Sequence, residues 1–174
     1  MSIRTESQIV EAACDGDVDS FGALYERYYA VMVWLAYSIL PERNLAEDAA
    51  QETFAVACEE LVHLKRPEKF AGWLAGICRN VAHQMARERK REALTNTAAA
   101  VVEQNNNDDL DGMVRQAICS LPEMYRQPLL LRYYNDMSYE QIGLVLGIAR
   151  YTVKGRLFRA RKKIAKYLKR KGFE

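Results

Sequence analysis

The stretch "SYEQIGLVLGIARYTVKGRLFRARKKIAKYLKRKG", residues 138–172, confines the chain to a narrow set of folds. Its apolar residues recur at helical spacing, stop at Gly147, and resume on a second helix that grows steadily more basic. Ser138 is a good N-cap for the first helix, with Glu140 and Gln141 in the opening turn. Ile142, Val145 and Leu146 form its apolar stripe, and Gly143 leaves room for a crossing helix. Gly147 suits the left-handed conformation that ends a helix, and Ile148 plugs the corner. The next helix buries Val153, Leu157, Ala160 and Ile164, and turns Arg150, Tyr151, Thr152, Lys154, Gly155, Arg156, Phe158 and Arg159 toward its other side.

A helix, a glycine turn and a second helix with an apolar seam and a basic outer face make the unit that places one helix in the DNA major groove. Arginines and lysines on such a face hold phosphates, while the first few side chains reach base edges. The plainer alternative is a helical hairpin with a solvated basic face. Charge polarity along the chain favours a polyanionic partner. From Arg150 to Lys171 no acid occurs, whereas from Met1 to Leu64 the only lysines or arginines are Arg4, Arg27 and Arg43 amid many carboxylates.

Apolar spacing is helical elsewhere too, and no useful length of β-type alternation appears, so the fold class is all-α. Ile9, Ala12 and Ala13 precede a helix capped by Asp19 or Ser20, with Phe21, Leu24, Tyr25, Tyr28, Met32, Leu35 and Ile39 inward and Pro41 as its stop. Another begins near Asn44, with Ala49, Phe54, Ala57, Cys58 and Leu61 inward, and runs to the "LKRPEK" break at Pro67. A third carries Phe70, Trp73, Leu74, Ile77, Cys78 and Val81 and ends in "RERKRE". Residues 93–112 lose the apolar period and read as an acidic linker, so two small helical domains are expected at 1–92 and 113–174. With 174 residues and a hydrophobic fraction of 49%, the chain can bury a core. Nothing at the start resembles a signal peptide, and no apolar run reaches the roughly 20 residues of a membrane span, so a soluble cytoplasmic protein with no direct membrane insertion is expected. Cys14, Cys58, Cys78 and Cys119 are scattered singly and read as buried free thiols, with neither metal nor cofactor expected.

Longer motifs decide between kinds of DNA-binding protein. "TVKGRLFRAR" and the surrounding residues 121–164, with their "LP...R" opening, resemble the minus-thirty-five-binding domain of bacterial sigma factors. "LAEDAAQETFAVACEEL" resembles the helix with which that family grips the clamp of core RNA polymerase, with Asp48, Gln51, Glu52 and Phe54 in its "D..QE.F" pattern. "FAGWLAGICRNVAHQMARERKR" resembles the helix that recognises the minus-ten element, with Phe70, Trp73, Leu74, Ile77, Asn80 and Arg87 at matching spacing. The resemblance covers roughly residues 10–91 and 113–168, in the right order. With no further domain expected between or before the halves, the layout is that of the smallest members of the sigma-70 family, the extracytoplasmic-function group.

The resemblance implies a transcription initiation factor, not an enzyme. Its partners would be core RNA polymerase (beta-prime clamp and beta flap), promoter DNA and an anti-sigma factor, and its linker would thread the channel used by exiting RNA. Lys65, Arg66, Lys69, Arg87 and Arg89 would hold phosphates near the start site, and Asn80 either bonds a base edge or is a polar surface residue. Phe70 and Trp73 are either core or platforms for unstacked bases. Four positions depart from the family pattern: Cys58 where tryptophan is frequent, Gln84 where aspartate is common, and Ala149 and Gly155 where serine is usual. The alternative is a stand-alone helix-turn-helix regulator; a catalyst is remote, since there is no phosphate loop and only His63 and His83.

Overall fold

The computed structural model describes residues 4–95 and 110–173, and among them all regular structure is helical. Four α-helices build the N-terminal half: α1 (Glu6–Cys14), α2 (Val18–Tyr37), α3 (Arg43–Glu60) and α4 (Phe70–Thr95). Four more build the C-terminal half: α5 (Leu110–Cys119), α6 (Glu123–Tyr134), α7 (Tyr139–Leu146) and α8 (Arg150–Arg170). No described helix is long and apolar enough to cross a membrane.

Helix α2 is the axis of the N-terminal half. Val31, Met32, Val33, Leu35 and Ala36 are all buried, which needs neighbours on every side, and α1, α3, α4 and α6 supply them. Small residues let these neighbours come close: Ala46, Ala49, Ala50 and Ala57 of α3 are fully buried, as are Ala75, Cys78 and Ala82 of α4. The Cys78 thiol meets the Met32 carbonyl at 3.4 Å, and its burial pushes its pKa up to about 11.

Several sequence expectations shift by less than a turn. The cap of α2 is Asp17, whose Oδ2 accepts from the Ser20 hydroxyl at 2.5 Å, in place of Asp19 or Ser20. Cys58, expected inward, is exposed, whereas Cys78 is buried and Cys14 and Cys119 are half-buried. Tyr25 is more than a third exposed, its ring stacked on Tyr29 and tilted against Phe54. Helix α4 continues past "RERKRE" to Thr95, and α5 starts at Leu110, so the ends of the expected linker are helical. Its remainder, residues 96–109, lies outside the described residues, as do Glu103, Asp108 and Asp109.

In the C-terminal half, Ser138 caps α7 in a reciprocal box: its Oγ accepts from the Gln141 N–H at 3.1 Å, and Gln141 Oε1 accepts from the Ser138 N–H at 2.8 Å. Gly147 closes that helix at φ 66° and ψ 33°. Gly143 is needed for a second reason. A Cβ there would stand 2.7 Å from the Ile148 carbonyl oxygen, so the turn between α7 and α8 folds tightly over a position with no side chain. Helix α8 then buries Val153, Leu157 and Ala160 as its spacing requires, with Ile164 half-buried.

Gly143→Ala is expected to destabilise the C-terminal half by about 1–3 kcal/mol, because the contact is with backbone and the turn must shift. Chemical denaturation of the variant measures it. Unchanged stability would mean that the turn is looser than this geometry.

Candidate nucleic-acid interface

Helix α3 turns one stripe outward. Asp48, Glu52 and Glu59 follow one another at steps of four and seven on the exposed side, and no described residue pairs with any of them. Gln51 is exposed beside them. Phe54, placed in the same polymerase-binding pattern by the resemblance but inward by its spacing, is only 4% exposed and packs against Phe21 and Tyr25. It fixes α3 on α2 and leaves the carboxylates to face outward. Such a face repels DNA and suits a cationic protein surface.

Helix α4 carries Trp73, Ile77, Asn80, Gln84 and Arg87 along one line, at steps of four, three, four and three. Trp73 and Ile77 are half-buried, and Asn80, Gln84 and Arg87 are exposed. Phe70 belongs to the core: it is completely buried, with its ring 5.5 Å from Tyr28 and 5.9 Å from Trp73. A base cannot stack on a ring with no exposed face, so the core reading holds for Phe70. The cations expected near it differ in availability. Arg66 Nε bonds Glu68 at 2.7 Å, and Arg89 is tied to Glu42, whereas Lys65, Lys69 and Arg87 have no described carboxylate partner.

In the helix-turn-helix, Tyr151, Lys154, Phe158 and Arg159 are exposed on α8, and Thr152, Gly155 and Arg156 are half-buried. Arg150 opens the helix with its Nε 2.5 Å from Glu140 of α7. Ala149 occupies the N-cap and offers no side-chain acceptor, which forgoes about 1 kcal/mol against serine. Gly155 in the helix interior costs about 1 kcal/mol relative to alanine.

The two halves touch along α2 with α6 and α4 with α7. Trp34 stacks on Tyr134 with centroids 3.9 Å apart, and the Arg43 guanidinium stands 5.3 Å over the Trp34 ring. His83 Nε2 lies 3.4 Å from Glu123 Oε1, and a Cβ on Gly72 would meet the Leu144 carbonyl at 3.1 Å. Between the halves a cleft of about 870 Å³ is lined by Lys65, Lys69, Trp73 and Arg79 on one side and Gly147 and Arg150 on the other. Residues expected to serve two promoter elements thus share one cleft here.

An apolar groove of about 430 Å³, which no motif in the sequence announces, lies between α5, α6 and α8, lined by Val114, Ile118, Leu129, Tyr133, Ile164 and Leu168. The apolar periods of those helices are visible in the chain, but which side of each stays uncovered depends on how they cross.

Comparison with known proteins places this geometry among relatives. Residues 24–92 match the family described as Sigma-70 region 2, and residues 111–164 match Sigma-70, region 4. The chain is 30% identical to the ECF RNA polymerase sigma factor SigW of Bacillus subtilis, over 88% of its own length and 91% of that protein. It is 32% identical to the RNA polymerase sigma-H factor of Pseudomonas aeruginosa, over 94% and 93% of the two chains. The fold is similar to that of CnrH, solved in complex with the cytosolic domain of CnrY, at a TM-score of 0.65 and 23% identity over 94% of this chain and 97% of that one. It is also similar to the sigma factor RpoE of Bartonella quintana, solved with the anti-sigma factor NepR, at a TM-score of 0.63 and 24% identity over 87% and 98%.

Tyr134→Ala in a Trp73→Phe background is expected to shift Trp34 fluorescence to the red, as the stack between the halves is lost and water reaches the indole. An unchanged emission spectrum would show that this stack does not hold the halves together.

Proposed function

Because this chain belongs to the extracytoplasmic-function group of the sigma-70 family, we propose that its two halves divide the work of starting transcription. The chain binds core RNA polymerase and directs it to promoters, and the polymerase makes the RNA. The observation that carries the division is electrostatic: an unpaired carboxylate stripe on α3 lies in the same small protein as an acid-free basic helix, α8. One surface is suited to protein and the other to DNA.

Within residues 1–92, Asp48, Gln51 and Glu52 contact the beta-prime clamp, and buried Phe54 holds their helix in place. Lys65, Lys69 and Arg87 hold phosphates of the minus-ten region, Asn80 offers a hydrogen bond to a base, and half-buried Trp73 flanks it. Opening the duplex costs a few kcal/mol for each unstacked base, which contacts to extruded bases offset. Within residues 113–174, the exposed side chains of α8 read the minus-thirty-five element, and the apolar groove between α5, α6 and α8 receives the beta flap. The acidic segment 93–112 threads the RNA exit channel. Polymerase and promoter place the site of action in the cytoplasm, and an anti-sigma factor, the kind of partner named for the solved RpoE of Bartonella quintana, restrains the free chain.

Reversing Asp48 and Glu52 to lysine is expected to weaken binding to purified core polymerase at least tenfold while leaving the fold intact, since both are exposed. Lys154→Ala and Arg159→Ala are expected to leave polymerase binding unchanged, to weaken holoenzyme binding to upstream promoter DNA, and each to lower the salt dependence by about one ion. Fluorescence anisotropy with labelled polymerase and labelled duplex measures both. Full polymerase affinity in the doubly reversed variant would overturn the assignment of the α3 surface.

A further inference from the structure

Helix α8 has a glycine where its outward face is centred. Successive residues turn by about 100°, so Gly155 lies roughly 200° from Val153 and from Leu157, two of the residues that anchor α8 in the core. A Cβ built on Gly155 would meet nothing within 4 Å. No described neighbour therefore requires the glycine, and it weakens the helix in which it sits. The glycine leaves the backbone at the centre of the outward face open to close approach from outside.

Its neighbours on that face indicate what approaches. Tyr151, one turn before, is 80% exposed, and Phe158, one turn after, is 57% exposed. The Phe158 ring has the Lys162 ammonium 4.7 Å from its centre, and Lys154 and Arg159 stand exposed to either side. The middle of the face is thus an apolar notch with two aromatic walls, and cations border it. Glycine and phenylalanine have no side-chain donor or acceptor with which to read a base edge, and Tyr151 has only the hydroxyl at the far end of its ring. In the major groove the apolar feature that distinguishes one base from the others is the C5-methyl group of thymine.

We propose that Gly155, walled by Tyr151 and Phe158, receives a thymine methyl group of the upstream promoter element and sets the specificity of this chain at that base pair. The proposal rests on the reading of α8 as the recognition helix. Lys154, Arg159 and Lys162 supply affinity through phosphates, and the notch supplies discrimination. A side chain at position 155 would both fill the notch and hold the helix away from the groove floor.

The test uses holoenzyme reconstituted from the full chain and purified core polymerase, and a pool of duplexes randomised across the upstream element. The best-bound duplex is resynthesised with deoxyuridine in place of thymine at one position at a time, which removes the methyl and keeps the pairing. At one or two positions the replacement is expected to weaken binding about three- to tenfold. Gly155→Ala is expected to weaken binding to the thymine duplex by a similar factor, to erase most of the difference between thymine and uracil there, and to melt at a higher temperature than the unsubstituted chain. Arg159→Ala should weaken both duplexes equally. Selection of an element without thymine, indifference to every uracil replacement, or wild-type binding by Gly155→Ala would each overturn the proposal while the effect of Arg159→Ala still supported the recognition helix. A pool in which no element is enriched overturns that reading and the proposal with it.

Discussion

The burial of Val31, Met32, Val33, Leu35 and Ala36 around successive sides of α2 is the constraint on which the other elements depend. Met32, Leu35 and Ala36 have no exposed surface, and an amphipathic helix on a single core cannot bury all its sides. Helices α3 and α4 cover two of them and α1 another, and α6 from the C-terminal half closes the remainder near Trp34 and Tyr134. The alanine-rich faces of α3 and α4 follow from that demand, because small side chains let two helices approach the same axis. With their inner faces so used, Asp48 and Glu52 of α3 and Asn80 and Arg87 of α4 have only the outside to occupy. Packing around α2 thus sets which way the proposed binding surfaces point.

The surfaces then differ by charge. Carboxylates without described partners lie on α3, while the cations of α8 face outward with Glu140 as the one described acid bonded among them, at Arg150. Docking of α6 on α2 and of α7 on α4 brings the ends of both sets proposed to face DNA to one cleft. Under the proposed function two promoter elements on one duplex are not both read from one cleft, so that reading implies that the contacts at Trp34–Tyr134 and His83–Glu123 give way when DNA and polymerase are engaged.

Much of this was legible in the chain because it is local. Ser138 and Gln141, three residues apart, announce their cap; Gly147 announces the turn; and the spacing of Val153, Leu157 and Ala160 shows the buried side of α8. The motif "D..QE.F" put Phe54 in one polymerase-binding set with Asp48 while the apolar period put it inward, and the structure separates the two, with Asp48 outside and Phe54 inside. What was not legible depends on pairs distant in sequence. Nothing near Trp34 indicates that Tyr134 will stack on it, and the exposure of Cys58 depends on how far α3 rotates over α2. The 2.7 Å clearance at Gly143 depends on how tightly its turn closes, which one sequence does not show. The groove between α5, α6 and α8 is of the same kind, since it is the space left by three crossing helices.

The most direct test is run-off transcription of fragmented genomic DNA by purified bacterial core polymerase, with and without this chain, followed by sequencing of transcript starts. The account predicts new starts that appear only with the chain and share two spaced upstream elements. It is contradicted if no new start appears and the chain fails to bind the core yet binds a specific duplex tightly alone. In that case the helix-turn-helix would serve a stand-alone regulator.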